Sequence, residues 1–342
     1  MSSKHAQVLK KLTATLPFKI TLLTHMSFGT YFTISKSQTV CCLFRLYCFC
    51  IHAIFLSAYV YTHSSHRFVQ SHTFVFFEYI FTVGFYIIFT GDFIFKYCRA
   101  IETSDRIMGF KKIPLFTNSL YFMVFIGISI RIFIAFIQIT FVTSPATASS
   151  NNVVLFVLDL NYFTIISIFS ILHHRLKLLR SFFEKITIPV YLTGKNKTAN
   201  TVKLIRKSLY NYNNLLDNMQ CIDKPMQFLV NIVFVTDDFF RTCSVFLETT
   251  QIIYFISCPA FIAEGIAYEV DEIKSSLNKQ LLRCSDDSIR FELETFSQYI
   301  IIRPFTYYIG RAVPLNVHLP FTLISLCITY VIVVIQLSHF LW

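Results

Sequence analysis

A row of hydrogen-bonding side chains runs along the most C-terminal hydrophobic segment, Leu319–Leu337. Its members are Thr322, Ser325, Thr329 and Gln336. They recur at steps of three, four and seven residues, so a helix of about 3.6 residues per turn places all four on one face. Hydroxyl groups can bond back to their own helix, but the Gln336 amide needs partners that lipid does not offer. The spacing predicts a membrane helix whose polar face meets water or copies of itself.

The composition predicts an integral membrane protein. The chain has 342 residues, of which 54% are hydrophobic and only 14% are charged, whereas soluble proteins average about 25% charged residues. The 39 Phe and 18 Tyr residues suit lipid-facing and interfacial positions. The net charge is +11, but the basic residues lie between apolar segments instead of forming one face. A nucleic-acid partner is therefore not predicted.

Seven membrane helices and their orientation follow from hydropathy and charge. The predicted spans are Val40–Tyr61, Thr73–Phe95, Leu120–Val142, Val153–Leu172, Met226–Leu247, Ile252–Tyr268 and Leu319–Leu337. Lys and Arg residues number 26 in the leader and the even-numbered connections, against a single Arg67 on the other side. By the positive-inside rule the N-terminus is cytosolic and the C-terminus is extracellular. The predicted fold class is an all-α integral membrane protein with seven transmembrane helices.

Two cytosolic connections are expected to be helical as well. Ile205, Leu209, Tyr212, Leu216 and Met219 form one apolar stripe, and Ile289, Leu293, Phe296 and Ile300 form another. The second stripe follows a Ser285-Asp286-Asp287 start signal and ends before Pro304. We expect these helices to continue membrane helices into a shared cytosolic bundle, the alternative being independent surface helices. Breaks at Pro304, Gly310, Pro314 and Pro320 predict a hinge before the last span.

One short motif resembles a known family signature. Thr329-Tyr330, five aliphatic residues (Val331 to Ile335) and Gln336-Leu337 are similar to the Thr-Tyr, five hydrophobic residues, Gln-Phe motif of insect gustatory receptors. The reversed seven-span topology, short outer loops, large second intracellular loop and short tail also resemble that family. Leu337 replaces the family's Phe, and Val331 stands where the sugar-sensing branch commonly has an acidic residue. The resemblance therefore favours the divergent branch that is often linked to bitter compounds.

The resemblance implies a ligand-gated, non-selective cation channel, usually tetrameric, in the plasma membrane of chemosensory neurons. Gln336 and Leu337 would form the constriction of a pore lined by four last helices. Thr322, Ser325 and Thr329 would face the conduit, and Tyr330 would pack against a neighbouring helix. The implied organisation is a cytosolic leader (1–39), a six-span ligand-sensing domain (40–268) that includes a cytosolic helix (173–225), a cytosolic helix with a hinge (269–318), and a pore helix with an extracellular tail (319–342).

The ligand is expected in the outer half of the spans. Arg131 and Asp159 both come out roughly 10 Å below the outer surface at a rise of about 1.5 Å per residue, and Glu78 and Arg241 roughly 8 Å below it. Each pair could be a structural ion pair or could rim a pocket for a small-molecule tastant. Uncharged candidates for this pocket are Tyr79, Gln138, Tyr162, Gln251 and Tyr254.

Other chemistries find little support in the sequence. No phosphate-binding glycine loop, nucleophile elbow or His-rich metal motif is present, so neither an enzyme nor a cofactor nor a metal site is predicted. A secondary transporter and a non-conducting accessory subunit of a receptor complex remain open alternatives. The sequence also leaves open whether the tetramer is built from identical or different subunits.

Overall fold

The computed structural model describes residues 23–31, 37–64, 77–84, 92–110, 113–114, 116–142, 145–185, 195–227, 239–309 and 313–340. Most of these residues are helical. The helices are α1 (Gln38–Ser64), α2 (Asp92–Met108), α3 (Asn118–Ile137), α4 (Pro145–Lys185), α5 (Lys195–Gln227), α6 (Phe239–Arg283), α7 (Asp287–Ile302) and α8 (His318–Phe340). Residues 23–27 and 77–84 are also helical, and a π-helical turn, Gln138–Val142, extends α3.

Four helices of the described residues are long and apolar enough to cross a membrane. These segments are Gln38–Tyr61, Asn118–Thr140, Pro145–Lys185 and Leu247–Arg283. The chain is therefore an α-helical membrane protein, and this part of the predicted fold class is confirmed. About half of each of the predicted second and fifth spans lies outside the described residues.

Two of the helices are far longer than a bilayer requires. α4 has 41 residues and α6 has 45, which at about 1.5 Å per residue is roughly twice the hydrocarbon thickness of about 30 Å. The C-terminal part of α4 carries His173, His174, Arg175 and Lys177, which suits a segment outside lipid. The two predicted apolar stripes lie on other helices, α5 and α7, and the expectation that both continue membrane helices is wrong for α7, because α6 ends at Arg283 and α7 begins only at Asp287.

α6 also corrects one predicted boundary. Residues 248–251 were expected to connect the fifth and sixth spans, but they are helical and lie inside Phe239–Arg283. None of these four residues is Gly or Pro, so nothing in the backbone ends the helix there. Glu248 and Gln251 lower the local hydropathy as a loop would. The chain does not turn there, because both side chains hydrogen-bond to residues on other helices.

The described chain divides into two compact units. The first comprises Met1–Thr103, Val124–Thr164 and Asn218–Gln251, and the second comprises Ser104–Met123, Ile165–Asp217 and Ile252–Trp342. In the apolar core of the first unit, Tyr59 and Tyr79 pack with Val154, Val157 and Leu158. α4 supplies three of these five residues. Of the apolar stretch of α4 that is long enough to cross a membrane, 78% is buried, against 11% for α1. α4 is therefore an interior helix, whereas α1 presents most of its surface to the surroundings.

A histidine ties the N-terminal region to this core. His52 Nε2 lies 3.0 Å from the Gly29 carbonyl, and its Nδ1 lies 2.6 Å from the Tyr79 hydroxyl. A carbonyl only accepts, so Nε2 carries the proton and Nδ1 accepts from Tyr79. Gly29 has a φ of +79°, and a Cβ there would lie 3.0 Å from His52 Nε2. Both the backbone conformation and the close approach therefore require glycine.

The second unit contains a helical bundle in which α5 and α7 pack together. The Tyr212 and Phe296 rings lie 6.1 Å apart, and Phe183 of α4 contacts Phe296 at 5.4 Å. Gln280 of α6 donates to the Phe183 carbonyl at 2.8 Å. The shared bundle is thus present, and the alternative of two independent surface helices is wrong.

The predicted bounds of α7 are confirmed. Asp286 caps the helix by accepting from the amides of Ser288 and Ile289 at 3.0 and 3.2 Å, and α7 ends at Ile302, two residues before Pro304. All four predicted stripe residues of α7 are buried. Of the α5 stripe, Ile205, Tyr212, Leu216 and Met219 are buried and Leu209 is half-buried.

The predicted hinge contains a minimal β-ribbon. β1 (Tyr308–Ile309) pairs with β2 (Val313–Pro314) in antiparallel register, a departure from the all-α expectation. Pro304 prevents the helix from continuing, and the extended chain then satisfies its backbone by local pairing. The Leu315 amide also donates to the Tyr307 carbonyl at 2.8 Å.

Candidate functional site

A buried polar network joins α3, α4 and α6 in the first unit. Arg131 donates to both carboxylate oxygens of Asp159, from Nε at 2.6 Å and from Nη2 at 3.0 Å. The side chains are only 8% and 5% exposed, so this ion pair is shielded from water. Gln251 Nε2 donates to Asp159 Oδ2 at 2.9 Å. Asp159 thus receives three hydrogen bonds, two of them from a charged guanidinium group, as a buried carboxylate requires.

The second part of the network is centred on Gln138. Gln138 Nε2 donates to Glu248 Oε1, and Gln138 Oε1 accepts from Asn152 Nδ2 at 2.7 Å. Asn152 Nδ2 also donates to the Ala148 carbonyl at 2.8 Å. Gln138 begins the π-helical turn that follows α3, and such turns often occur at functional sites. Glu248 is half-buried, whereas Gln138 and Asn152 are buried.

Helical spacing explains why these residues meet. Arg131 and Gln138 are seven residues apart on one segment, and Asn152 and Asp159 are seven apart on α4. Seven residues are about two turns, so each pair lies on one face of its helix. Glu248 and Gln251 are three apart on α6 and also share a face. The six residues of the polar network are therefore presented by three matching helical faces.

Several buried atoms of the polar network lack a hydrogen-bond partner among the described residues. They are Arg131 Nη1, Asn152 Oδ1 and Gln251 Oε1, with Asn151 Oδ1 nearby in sequence. Gln251 is fully buried, and Arg131 and Asn152 are 6% and 9% exposed. Unsatisfied buried polar atoms are uncommon in native proteins and call for a bound water or ligand.

Other charged and aromatic groups surround the polar network. Glu78 is half-buried and close enough to Asp159 to interact with it electrostatically. Glu248 interacts in the same way with Tyr59, Arg131 and Asp159. Carboxylates are thus concentrated around one buried guanidinium group. Of the described residues, no three His, Cys, Asp or Glu side chains are arranged to hold a metal ion.

The structure brings together some of the predicted pocket residues but not all. Arg131, Asp159, Gln138 and Gln251 belong to the polar network, while Tyr79 is buried in the adjacent apolar core. Tyr162 is buried as well. Tyr254 belongs to the second unit, where its hydroxyl donates to the Met123 carbonyl at 2.7 Å. The Arg241 side chain, and with it the predicted pairing with Glu78, lies outside the described residues.

Three participants were missed by sequence reasoning. Glu248 was assigned to a loop, and Asn152 stands one residue before the predicted start of its span. His52 stands alone in an apolar helix, where no spacing pattern marks it. The available signal was spacing: Glu248 is three residues before Gln251, and Asn152 is seven before Asp159. A search for polar pairs at helical intervals would have found the first two.

The polar row of α8 lies on the surface of the chain. Thr322, Ser325, Thr329 and Gln336 are all exposed. Two hydroxyls donate to their own helix at 2.9 Å, Thr322 to the His318 carbonyl and Thr329 to the Ser325 carbonyl. Such bonds use the hydroxyl proton but leave acceptor capacity on the oxygen. The side chains of Tyr330 and Leu337 lie outside the described residues.

These polar side chains border a shallow groove together with apolar neighbours. Thr322, Ser325 and Thr329 line it with Phe321 and Leu326. Phe321 and Leu326 are themselves 61% and 64% exposed. α8 therefore presents a mixed polar and apolar surface that no described residue of the chain covers.

A second polar cluster lies where α7 ends and the hinge begins. Arg303 donates from Nη1 to Asn213 and from Nη2 to Asp217, and it also contacts the Tyr299 hydroxyl at 3.0 Å. The Tyr212 hydroxyl donates to the Arg303 carbonyl at 3.1 Å. The bond to Tyr299 raises the pKa of Arg303, and burial raises the pKa of Tyr212. The guanidinium thus stays charged and the phenol stays a neutral donor.

Neither the models of known protein families nor the curated proteins give a match to this chain. Its activity is therefore inferred from its own chemistry: a buried, incompletely satisfied polar network, an exposed polar row on α8, and a cluster of hydrogen bonds that holds the start of the hinge.

Proposed function

We propose that this protein is a subunit of a ligand-gated, non-selective cation channel that acts as a gustatory chemoreceptor. Seven spans, a cytosolic N-terminus, an extracellular C-terminus and a location in the plasma membrane of chemosensory neurons belong to the same proposal. The observation that carries it is the exposure of Thr322, Ser325, Thr329 and Gln336 on the last helix.

The argument from exposure is energetic. In a membrane protein an exposed side chain faces lipid, water or another subunit, and lipid cannot satisfy the Gln336 amide. Four copies of α8 around an axis would give these groups water or each other. The apolar surface on either side, exemplified by Leu326, would then pack between neighbouring helices. A ring of Leu337 side chains would close the conduit by excluding water.

The polar network of the first unit supports a ligand site. Buried atoms without partners occur there on Arg131, Asn152 and Gln251, next to a core with two tyrosines. Small-molecule sites commonly combine aromatic walls with a few polar anchors. A tastant bound there would replace absent hydrogen bonds and so favour one arrangement of α3, α4 and α6.

The Arg303 cluster supports a route to the gate. It holds the first residue of the hinge against α5 through Asn213 and Asp217. Tyr307, farther along the hinge, packs edge-on against Phe169 of α4 at 5.1 Å. α4 also carries Asp159 of the polar network. A ligand-induced shift of α4 would therefore act on the segment that precedes α8.

The decisive experiment combines expression with cysteine accessibility. The chain would be expressed in a cell line and screened with a tastant panel for evoked cation current. Thr329→Cys and Ile328→Cys would then be compared with the parent during exposure to a charged, water-soluble thiol reagent. Both residues are exposed and adjacent, but only Thr329 belongs to the polar row. Block of the Thr329→Cys current alone would support a pore lined by this face.

The alternatives predict different results. Equal block at both positions, or none, would argue against this face lining the pore. Saturable counterflow without single-channel steps would indicate a secondary transporter, for which the buried charges of the polar network are also suited. Current only after co-expression with a second receptor would indicate a heteromer or an accessory subunit.

A further inference from the structure

The identities of two unpaired buried atoms are fixed by their surroundings. Asn152 Nδ2 faces two acceptors, Gln138 Oε1 and the Ala148 carbonyl, so rotating the amide would place oxygen against oxygen. Gln251 Nε2 faces the Asp159 carboxylate, and the same argument applies. The unpaired atoms Asn152 Oδ1 and Gln251 Oε1 are therefore acceptors that require a donor.

These acceptors lie within the polar network. Gln251 Oε1 shares its carbon with the nitrogen that contacts Asp159, so it lies beside that carboxylate. Asn152 Oδ1 is held in the same way beside Gln138. Gln251 is fully buried and Asn152 is 9% exposed, so bulk water does not supply the donors. A buried donor has to come from a bound molecule.

The charge of the polar network indicates what kind of donor this is. The Arg131 guanidinium is engaged by both oxygens of Asp159, which neutralises it. Glu248 receives only a neutral amide proton from Gln138 among the described residues. Glu78 is a further carboxylate close to Asp159.

A count of the charged groups around the polar network also indicates an excess of negative charge. Of the described residues that form or border the polar network, three are carboxylates, Glu78, Asp159 and Glu248, and one is a guanidinium group, Arg131. Among these residues negative charge is therefore in excess, in a region of low dielectric where an uncompensated charge is costly.

We propose that the polar network binds the ammonium group of a small protonated amine. The ammonium would donate to Asn152 Oδ1, which lies beside Gln138, the partner of Glu248, and would supply the positive charge that Glu248 lacks. Gln251 Oε1 and Arg131 Nη1, which lie at the Asp159 end of the polar network and have no partner among the described residues, would serve a hydroxyl group on the same ligand. This inference rests on the proposed receptor function and names the chemical class of its ligand.

The test uses the full-length protein purified into lipid nanodiscs, without any current measurement. Binding at pH 7 would be compared by calorimetry for benzylamine, benzyl alcohol and benzoate, which share one ring and differ in charge. Benzylamine is expected to bind at least tenfold more tightly than either of the others. Benzyltrimethylammonium keeps the charge but has no N–H donor. It is expected to bind more weakly than benzylamine because it cannot donate to Asn152 Oδ1.

A matched pair of variants locates the site. Glu248→Gln removes the charge while its side-chain oxygen can still accept from Gln138, and roughly a tenfold to hundredfold loss of benzylamine affinity is expected from one charge-assisted hydrogen bond. Glu264→Gln is the control, because Glu264 lies on the same helix but is exposed. The Glu264→Gln variant is expected to bind benzylamine with the same affinity as the parent protein.

Several outcomes would overturn the proposal. They are equal binding of amine and alcohol, tighter binding of benzoate, loss of binding in Glu264→Gln, or no binding of any probe, which would leave a hydrated network only. The result is separable from the proposed channel function. Amine binding without evoked current would refute the channel function but support the amine site. Current evoked only by neutral compounds, without amine binding, would support the channel function but refute the amine site.

Discussion

Two polar clusters of this protein are built from the same side-chain types but differ in completeness. In the first unit, Arg131 and Asp159 pair deep within the protein, yet neighbouring amides retain unpaired acceptors. In the second unit, Arg303 contacts Asn213, Asp217 and Tyr299 at the end of α7. Of the described residues, no side-chain atom of these four is buried without a hydrogen-bond partner.

The difference separates two uses of buried polarity. A complete cluster fixes one geometry, and the Arg303 cluster does so for the start of the hinge. An incomplete cluster costs stability until something fills it, so it couples conformation to a ligand. In the proposed receptor, the polar network of the first unit would then bind the ligand, and the Arg303 cluster would hold the start of the hinge, on which ligand binding acts.

The largest effect is expected from breaking the buried ion pair. Asp159→Ala leaves the Arg131 guanidinium without its carboxylate and removes the acceptor of Gln251. Loss of one partner from a buried ion pair costs about 3–5 kcal/mol. Chemical denaturation of the purified protein in detergent would measure this loss as a fall in the free energy of unfolding.

A double variant distinguishes an uncompensated charge from lost packing. Arg131→Met combined with Asp159→Leu removes both charges while retaining much of the volume. It is expected to be more stable than Asp159→Ala, because replacing a buried pair by apolar groups is often neutral. A double variant no more stable than the single variant would mean that the contacts of the pair, not the desolvated charge, matter most.

The next largest effect is expected at the hinge. Arg303→Ala removes the guanidinium bonds to Asn213, Asp217 and Tyr299. The Arg303 side chain is 25% exposed, so water screens part of the interaction and a loss of roughly 2 kcal/mol is expected in denaturation. The same variant is expected to raise the basal current in the proposed channel, because the hinge is released.

The control for this variant is Arg290→Ala on the same helix. Arg290 pairs with Glu294 at 3.2 Å, but the two side chains are 57% and 45% exposed. An exposed pair four residues apart on a helix contributes about 0.3–0.5 kcal/mol. Equal losses in the two variants would show that the Arg303 cluster is no more than a surface ion pair, and the comparison between the two clusters would fail.

Sequence reasoning succeeded where local physics dominates. The bounds of α7 follow from the Asp286 cap and from Pro304, and its buried face follows from the spacing of apolar residues. Depth counting placed Arg131 and Asp159 at one level, and the structure has them in direct contact. Short-range rules suffice for both results because helix geometry fixes the position of each residue along the axis.

Sequence reasoning failed where polar residues are buried by tertiary contacts. Glu248 and Gln251 lower the hydropathy of α6, and a hydropathy profile cannot distinguish a loop from a helix whose polar side chains are paired. Which helices pack side by side was also not encoded in any local pattern. The partners of Gln138 therefore emerged only from the fold.

A smaller effect is expected from a single hydroxyl of the Arg303 cluster. Tyr212→Phe leaves the ring packed but removes the donor to the Arg303 carbonyl. A loss of about 1 kcal/mol in the free energy of unfolding is expected for one neutral hydrogen bond. Tyr210→Phe is the matched control on α5, because the Tyr210 side chain is 54% exposed and should tolerate the change. Equal effects would contradict a role of the Tyr212 hydroxyl.

The smallest effect on stability is expected on α8. Thr329→Val keeps the shape of the side chain and removes a hydroxyl that bonds only to its own helix. Because Thr329 is exposed, the free energy of unfolding should change by less than about 0.5 kcal/mol. In the proposed channel the same change makes the pore wall less polar, so the single-channel current should fall. An unaltered current in a stably folded variant would show that this face of α8 is not wetted, and the exposed row would then have to be explained by packing against another protein.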